Sequence, residues 1–149
     1  ATNNGITYNT KMKPQIVLDT NVLLTALKSS RGASYRLLSM LTEDRFQIHV
    51  SAPLVAEYES VLKRGMLSLS SQQIDDVVDY VCARAVHHKI FYLWRPMLKD
   101  PGDDFVLELA VKAKAQIVTW NVSDFKRASS LGVQTINPGE LLNFLENPL

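Results

Sequence analysis

Along the chain, short apolar runs alternate with longer stretches whose apolar positions recur every three to four residues. Gln15-Ile16-Val17-Leu18-Asp19 contains three consecutive apolar residues, the pattern of a strand covered on both faces, as in a parallel sheet. Residues 22–27 have helical spacing, Ser29-Ser30-Arg31-Gly32 interrupts them, and a second helix follows through Leu37, Leu38 and Leu41. Phe46-Gln47-Ile48-His49-Val50 alternates and predicts the second strand. Pro53 suits the first turn of a helix that Ser51 can cap, with Leu54, Val55, Tyr58, Val61 and Leu62 on one face. The next helix is expected over 71–86, striped by Ile74, Val77, Val78, Val81 and Cys82. It ends at His87-His88, where cationic side chains favour the C-terminal dipole. Ile90-Phe91-Tyr92-Leu93 reads as a third strand at an edge. After the turn-rich acidic stretch 99–104 comes a helix bearing Phe105, Val106, Leu109, Ala110 and Ala113. Gln116-Ile117-Val118-Thr119 predicts the fourth strand, 120–125 a loop with a short helix beyond, and Val133-Gln134-Thr135-Ile136 the fifth strand. Pro138 opens a last helix with Leu141, Leu142 and Leu145.

This alternation predicts an α/β fold: a three-layer α/β/α sandwich around a central, mainly parallel sheet of about five strands. Crossovers in such sheets are right-handed, and ligands bind beyond the carboxyl ends of the strands, near a switch in strand order. The polar stretch 1–13 reads as a flexible tail and 14–149 as one domain, with no repeat, low-complexity segment or linker dividing it. Of the 149 residues, 46% are hydrophobic and 21% charged, enough apolar material for a core and too much for wholesale disorder. The formal net charge of +1 lacks the positive excess of many nucleic-acid binders, so any phosphate contact must come from local patches or bound cations. The lone Cys82 forms no intramolecular disulfide, has no metal-ligand spacing and reads as packing, in keeping with a reducing cytosol. No apolar run approaches the roughly 20 residues that span a bilayer, and the start has no signal-peptide core, so a cytoplasmic protein with no membrane partner is expected.

Candidate chemistry lies just past the strand ends. Asp19 ends the first strand, Glu57 sits in the first turns after the second, Asp103 begins the helix after the third, and Asp124 lies in the loop after the fourth. A pair of carboxylates brought to about 4 Å repels by about 4 kcal/mol at an effective dielectric near 20. Such a pocket calls for protons, basic partners or cations, and hard divalent cations suit an all-oxygen set. Each acid also has a plainer reading. Asp19, Asp103 or Asp104, and Asp124 can each cap a helix, and Glu57 can be a solvated helix acid. Glu57 and Glu59 lie about equally far from opposite edges of the Leu54 stripe, so periodicity does not choose between them.

Taken in order, these segments resemble the motifs of PIN domains. Ile16-Val17-Leu18-Asp19-Thr20-Asn21-Val22-Leu23 resembles the opening motif. Ser51-Ala52-Pro53-Leu54-Val55-Ala56-Glu57-Tyr58 is similar to the second, in which the acid precedes an aromatic, and this favours Glu57 over Glu59. Asp100-Pro101-Gly102-Asp103-Asp104 with Leu109-Ala110 resembles the third, which assigns the role to Asp103 first and Asp104 second. Thr119-Trp120-Asn121-Val122-Ser123-Asp124-Phe125 resembles the fourth, and Ile136-Asn137-Pro138-Gly139-Glu140-Leu141-Leu142 the close of the domain. The likeness runs from about 15 to 145, and its subgroup is the toxins of toxin–antitoxin pairs, akin to VapC. Two departures stand out. Asn121 occupies a place where some members carry an acid, and Gly102 one where another Asp is frequent.

The resemblance implies a Mg²⁺- or Mn²⁺-dependent ribonuclease with catalytic Asp19, Glu57, Asp103 and Asp124. Asp19, Asp103 and Asp124 are the metal ligands, Asp19 central. Glu57 holds or helps deprotonate the attacking water. Thr20, Asn21, Ser51, Asp104, Thr119 and Asn121 orient those carboxylates by hydrogen bonds. Arg31, Lys63, Arg64, Lys99, Lys126 and Arg127 are candidates for phosphate contacts, and Trp120 for stacking a base or packing at the rim. The implied partners are RNA, an antitoxin protein and a second copy of the chain. The competing expectation is a catalytically weak PIN-like domain that acts as an RNA- or partner-binding module.

Overall fold

The computed structural model of the protein describes residues 13–90 and 101–147. Most of the expected tail 1–13, the expected strand from Phe91 onward, and Lys99 and Asp100 lie outside the described residues. Strands β1 (Gln15–Leu18), β2 (Gln47–Ser51), β3 (Ala85–His88), β4 (Gln116–Val118) and β5 (Thr135–Ile136) form one sheet in the order β3-β2-β1-β4-β5. Every pairing is parallel. The helices are α1 (Thr20–Lys28), α2 (Ala33–Ser39), α3 (Ala52–Leu62), α4 (Ser71–Ala83), α5 (Pro101–Ala113) and α6 (Pro138–Glu146), with 3-10 segments at Met40–Glu43 and Val122–Leu131.

The central strands form where apolar runs can be buried on both faces. Ile16, Val17, Ile48, Val50, Ile117 and Val118 are fully buried. Helix starts follow local capping chemistry. The Ser51 hydroxyl accepts from the Leu54 N–H with Pro53 in the first turn, Ser70 forms a capping box with Gln73, and Asn137 forms one with Glu140 behind Pro138. Chain order and right-handed crossovers put α1 to α4 on one face and α5 with the Val122–Leu131 segment on the other. The packing agrees: α1 touches α2 and α3, α3 touches α4, α2 touches α6, and α5 lies against β1 and β2. Among the described residues, no helix is long and apolar enough to cross a membrane.

Four expectations are corrected. An unexpected strand forms at Ala85–His88, so α4 ends at Ala83 and His87-His88 belongs to that strand rather than to a helix end. Helix α5 starts at Pro101, which puts Asp103 and Asp104 inside its first turn rather than at a cap. The stretch after Asn121, expected as loop, is already 3-10 helical from Val122. The last strand is shorter, two residues rather than four.

The sheet also holds a polar chain. His49 is 6% exposed; its Nε2 lies 2.6 Å from Gln15 Oε1 and its Nδ1 lies 2.8 Å from His88 Nε2. A carbonyl oxygen only accepts, so His49 donates through Nε2. Its Nδ1 then accepts from His88 Nε2, which makes His49 neutral. Burial lowers both pKa values; the neighbouring ring adds to this for His49, and Lys112 and His87 add to it for His88.

Candidate active site

The crossovers leave β1 in opposite directions: β1 to β2 runs one way, and β3 to β4 returns to β1's other side. The switch point therefore lies between β1 and β4, where loops part and a ligand has room. Parallel pairing of Leu18 with Val118 sets the next residues, Asp19 and Thr119, side by side at the carboxyl ends. The Asp19 N–H continues the ladder to the Val118 carbonyl at 2.9 Å. The Thr119 hydroxyl donates to Asp19 Oδ2 at 2.7 Å, and the Thr20 N–H donates to Oδ1 at 2.8 Å. Asp19 thus faces the site while fixed by the first turn of α1 and by a fully buried threonine.

A cavity of about 560 Å³ opens above this pair. Asp19, Thr20, Asn21 and Leu24 line it from β1 and α1, and Glu57, Val61 and Arg64 from α3 and its end. Gly102 and Asp103 reach it from α5, and Asn121, Ser123, Asp124, Lys126 and Arg127 from beyond β4. All four acids expected to meet do border one cavity. Glu57 lines it and Glu59 does not, so the wall of the site separates two residues that helical periodicity left equal. Glu57 and Asp103 are half-buried and Asp124 is exposed, its N–H donating to the Asn121 carbonyl at 2.9 Å.

The supporting residues divide. Thr20, Asn21 and Asn121 line the cavity, and Thr119 sits beneath it, bonded to Asp19. Ser51 does not line it. Its hydroxyl accepts from the Leu54 N–H at 3.4 Å, a helix cap rather than a support for a carboxylate. Asp104, also in the first turn of α5, does not line the cavity. Among the basic candidates, Arg64, Lys126 and Arg127 are on the wall. Arg31 lies in the exposed turn between α1 and α2, and Lys63 pairs with Asp75. Trp120 stands beside the wall, its indole N–H 2.8 Å from Ser34 Oγ and 3.1 Å from Thr25 Oγ1.

Sequence reasoning missed two buried polar side chains. Tyr58 is fully buried, and its hydroxyl donates to the Leu18 carbonyl at 2.6 Å, tying α3 to the strand that ends in Asp19. Burial first, then the charges of Asp19 and Cys82, push its pKa well above the ordinary range, so it remains a donor. Glu108 is 6% exposed in α5. Its spacing of four from Asp104 was the available signal, overshadowed by its apolar neighbours Leu107 and Leu109.

The donors around the cavity are all oxygens, the chemistry of a site for Mg²⁺ or Mn²⁺. Among the described residues, no three His, Cys, Asp or Glu side chains are gathered closely enough to hold a metal between them. Four carboxylates face three basic side chains across the cavity, so the wall is of mixed charge rather than uniformly acidic.

The PIN domain model matches residues 15–123 of the chain. The chain belongs to the PIN-domain family. The matched stretch runs from β1 into the loop holding Asn121, and so includes Asp19, Glu57 and Asp103. Comparison with curated proteins returns no match. Among solved structures, this PIN domain is similar to VapBC2 from Rickettsia felis bound to a DNA fragment from their promoter. The TM-score is 0.58 at 17% identity, over 83% of this chain and 98% of that one. VapBC-1 from nontypeable Haemophilus influenzae gives 0.56 at 16% identity, over 84% and 98%. A PilT N-terminus domain protein from Sulfolobus solfataricus gives 0.54 at 13% identity, over 91% and 96%. At these identities the likeness is one of fold.

Proposed function

We propose that this PIN-domain protein is a Mg²⁺- or Mn²⁺-dependent ribonuclease that acts in the cytoplasm as the toxin component of a toxin–antitoxin pair. The observation that carries the proposal is the meeting of Asp19, Glu57, Asp103 and Asp124 on one cavity at the switch point. The VapBC likeness supports the toxin assignment and an antitoxin protein as partner; a homodimer is the expected state of the free protein.

A divalent cation, when bound, would offset the carboxylate charge against an anionic phosphodiester and activate a water. Asp19, with both oxygens oriented, would hold the cation, with Asp103 and Asp124 reaching it directly or through bound water. Mg²⁺ typically keeps several waters and takes one or two carboxylates directly, so donors spread around a cavity suit it without a tight cluster. Glu57, on the α3 wall, takes a proton from the attacking water as its oxygen bonds to phosphorus, and the bridging P–O bond breaks with its electron pair on the leaving oxygen, which takes up a proton from solvent to become a hydroxyl. Thr20, Asn21 and Asn121 hold the carboxylates and the substrate by hydrogen bonds, with Thr119 locking Asp19 from below. Arg64, Lys126 and Arg127 hold the phosphate backbone, supplying the local positive charge that a net charge of +1 does not.

The mixed charge of the wall and the lack of a gathered trio of acids among the described residues favour a second reading, a binding module with little catalysis. One assay separates the two: cleavage of single-stranded and structured RNA in Mn²⁺, with an EDTA control, by the wild type and by Asp19→Asn. The ribonuclease predicts metal-dependent cleavage that the substitution abolishes. Binding without cleavage by both proteins would establish the module instead.

A further inference from the structure

We infer that Tyr58 is a positioning residue of this site: its buried hydroxyl ties α3 to the peptide that precedes Asp19, and so sets where Glu57 stands relative to that carboxylate. The inference rests on the ribonuclease reading and goes beyond it. Tyr58 is fully buried, and its hydroxyl donates to the Leu18 carbonyl at 2.6 Å. Leu54 and Leu62 are fully buried on the same helix, and a phenylalanine would complete that apolar stripe as well as a tyrosine does. A hydroxyl taken out of water costs stability unless it is bonded. What tyrosine adds at this position is therefore the bond.

The bond meets a peptide group that is already engaged. The Leu18 carbonyl and the Asp19 N–H belong to one trans peptide unit, whose two polar ends point in opposite directions. The N–H end donates to the Val118 carbonyl of β4 at 2.9 Å, and the carbonyl end accepts from Tyr58. Pairing of β1 with β4 runs on through Leu18, whereas its pairing with β2 ends at Ile16. At the level of Asp19, α3 thus takes the place of a strand on the β2 side. Asp19 has further ties of its own, to the Thr119 hydroxyl and the Thr20 N–H. The start of α3 is tied to the end of β2 by the Ser51 cap. Deleting the Tyr58 hydroxyl therefore leaves Asp19 in place and loosens α3 above it.

The helix end of the bond lies one residue from Glu57. Successive helix residues are turned by about 100°, so Tyr58 enters the core while Glu57 lines the cavity. A proton acceptor must stand within hydrogen-bond reach of its proton, directly or through one water. A displacement of about 1 Å costs on the order of 100-fold in rate.

Tyr58→Phe, Glu57→Gln and the double variant form a cycle, assayed for Mn²⁺-dependent RNA cleavage below the unfolding transition of each, with circular dichroism to check folding. Tyr58→Phe should lower kcat by about 10–100-fold with KM for RNA little changed. In the Glu57→Gln background the same substitution should lower kcat by less than about threefold, because the group it acts through is already gone. Calorimetry should show Mn²⁺ affinity held, and metal-free crystals should show the Glu57–Asp19 separation changed by about 1 Å. 4-Aminophenylalanine in place of Tyr58 keeps a donor at the end of the ring and should restore cleavage. Undiminished kcat in Tyr58→Phe, an equal loss in both backgrounds, an unmoved Glu57, or an aminophenylalanine variant as impaired as the phenylalanine one overturns the positioning role and leaves the ribonuclease standing. A loss of Mn²⁺ affinity as large as the loss of kcat puts the effect on Asp19 and overturns it too. A wild type that cleaves no RNA overturns the ribonuclease reading itself, and the role of Tyr58 with it.

Discussion

Thr119→Val isolates the contact on which the proposed site is built. The substitution keeps shape and burial but deletes a hydroxyl that is fully buried, donates to Asp19 Oδ2 at 2.7 Å and accepts from the Asn121 N–H at 2.9 Å. A hydrogen bond to a charged group contributes about 1.5–3 kcal/mol, and burying a methyl in place of the hydroxyl recovers up to about 0.8 kcal/mol. The net loss is therefore about 1–2 kcal/mol, which for a domain of this size lowers Tm by roughly 2–8 °C. The functional loss should exceed the structural one. Freed from its donor, the Asp19 carboxylate can swing from its ligand orientation, and loss of such support typically lowers metal affinity or activity by about 10–100-fold. Mn²⁺ titration calorimetry and Mn²⁺-dependent RNA cleavage measure this directly. Thr119→Ser supplies the control, since it keeps both hydrogen bonds and loses one methyl, about 0.8 kcal/mol. It should fold slightly less stably yet bind Mn²⁺ almost as the wild type does. Unaltered Mn²⁺ affinity in Thr119→Val, or equal impairment in the serine variant, refutes the reasoning.

Tyr58→Phe strands the buried Leu18 carbonyl, so the urea midpoint should fall by an amount equivalent to about 1–3 kcal/mol; an unchanged midpoint removes the bond from the account. Both rings of the His49–His88 pair have pKa values lowered from 6.5 on folding, so the unfolded chain binds more protons below that value. Stability is full above about pH 6.5 and falls as pH drops through the folded values. Urea denaturation between pH 7.5 and 5 should show that decline, and His49→Gln should flatten it. Arg64→Ala and Arg127→Ala should each reduce the log–log salt slope of single-strand binding by about 0.7; parallel slopes would place both side chains away from phosphate.

Much of this was legible in the chain, for reasons that differ from element to element. Strands β1 and β4 announce themselves because helices on both faces demand unbroken apolar runs, and Ile16-Val17-Leu18 has no other stable home, while β2 shows as an alternation of apolar and polar residues. Strand β3 was missed because an edge strand escapes that demand. Among the described residues, Ala85-Val86-His87-His88 pairs only with β2, and Val86 is 41% exposed, so the periodicity of α4 runs straight through it. The four acids were found by their positions after strand ends, a consequence of parallel topology. Ser51 was given a site role because a buried hydroxyl near a strand end fits a support and a cap equally well in sequence, and only its bond to Leu54 decides. The Tyr58 hydroxyl was invisible because the apolar stripe accounts for the ring without it. Arg64 and Arg127 are legible only as two of six candidates for phosphate contacts, and their place on the wall follows from where α3 ends and from the kinked Val122–Leu131 segment.

The most direct test of the central claim is crystallographic: a crystal soaked in Mn²⁺, with anomalous scattering recorded near the metal's absorption edge. The account predicts a peak within bonding distance of an Asp19 carboxylate oxygen, on the side facing Asp103 and Asp124. Strong Mn²⁺ peaks elsewhere, with none in this cavity at saturating metal, would contradict it.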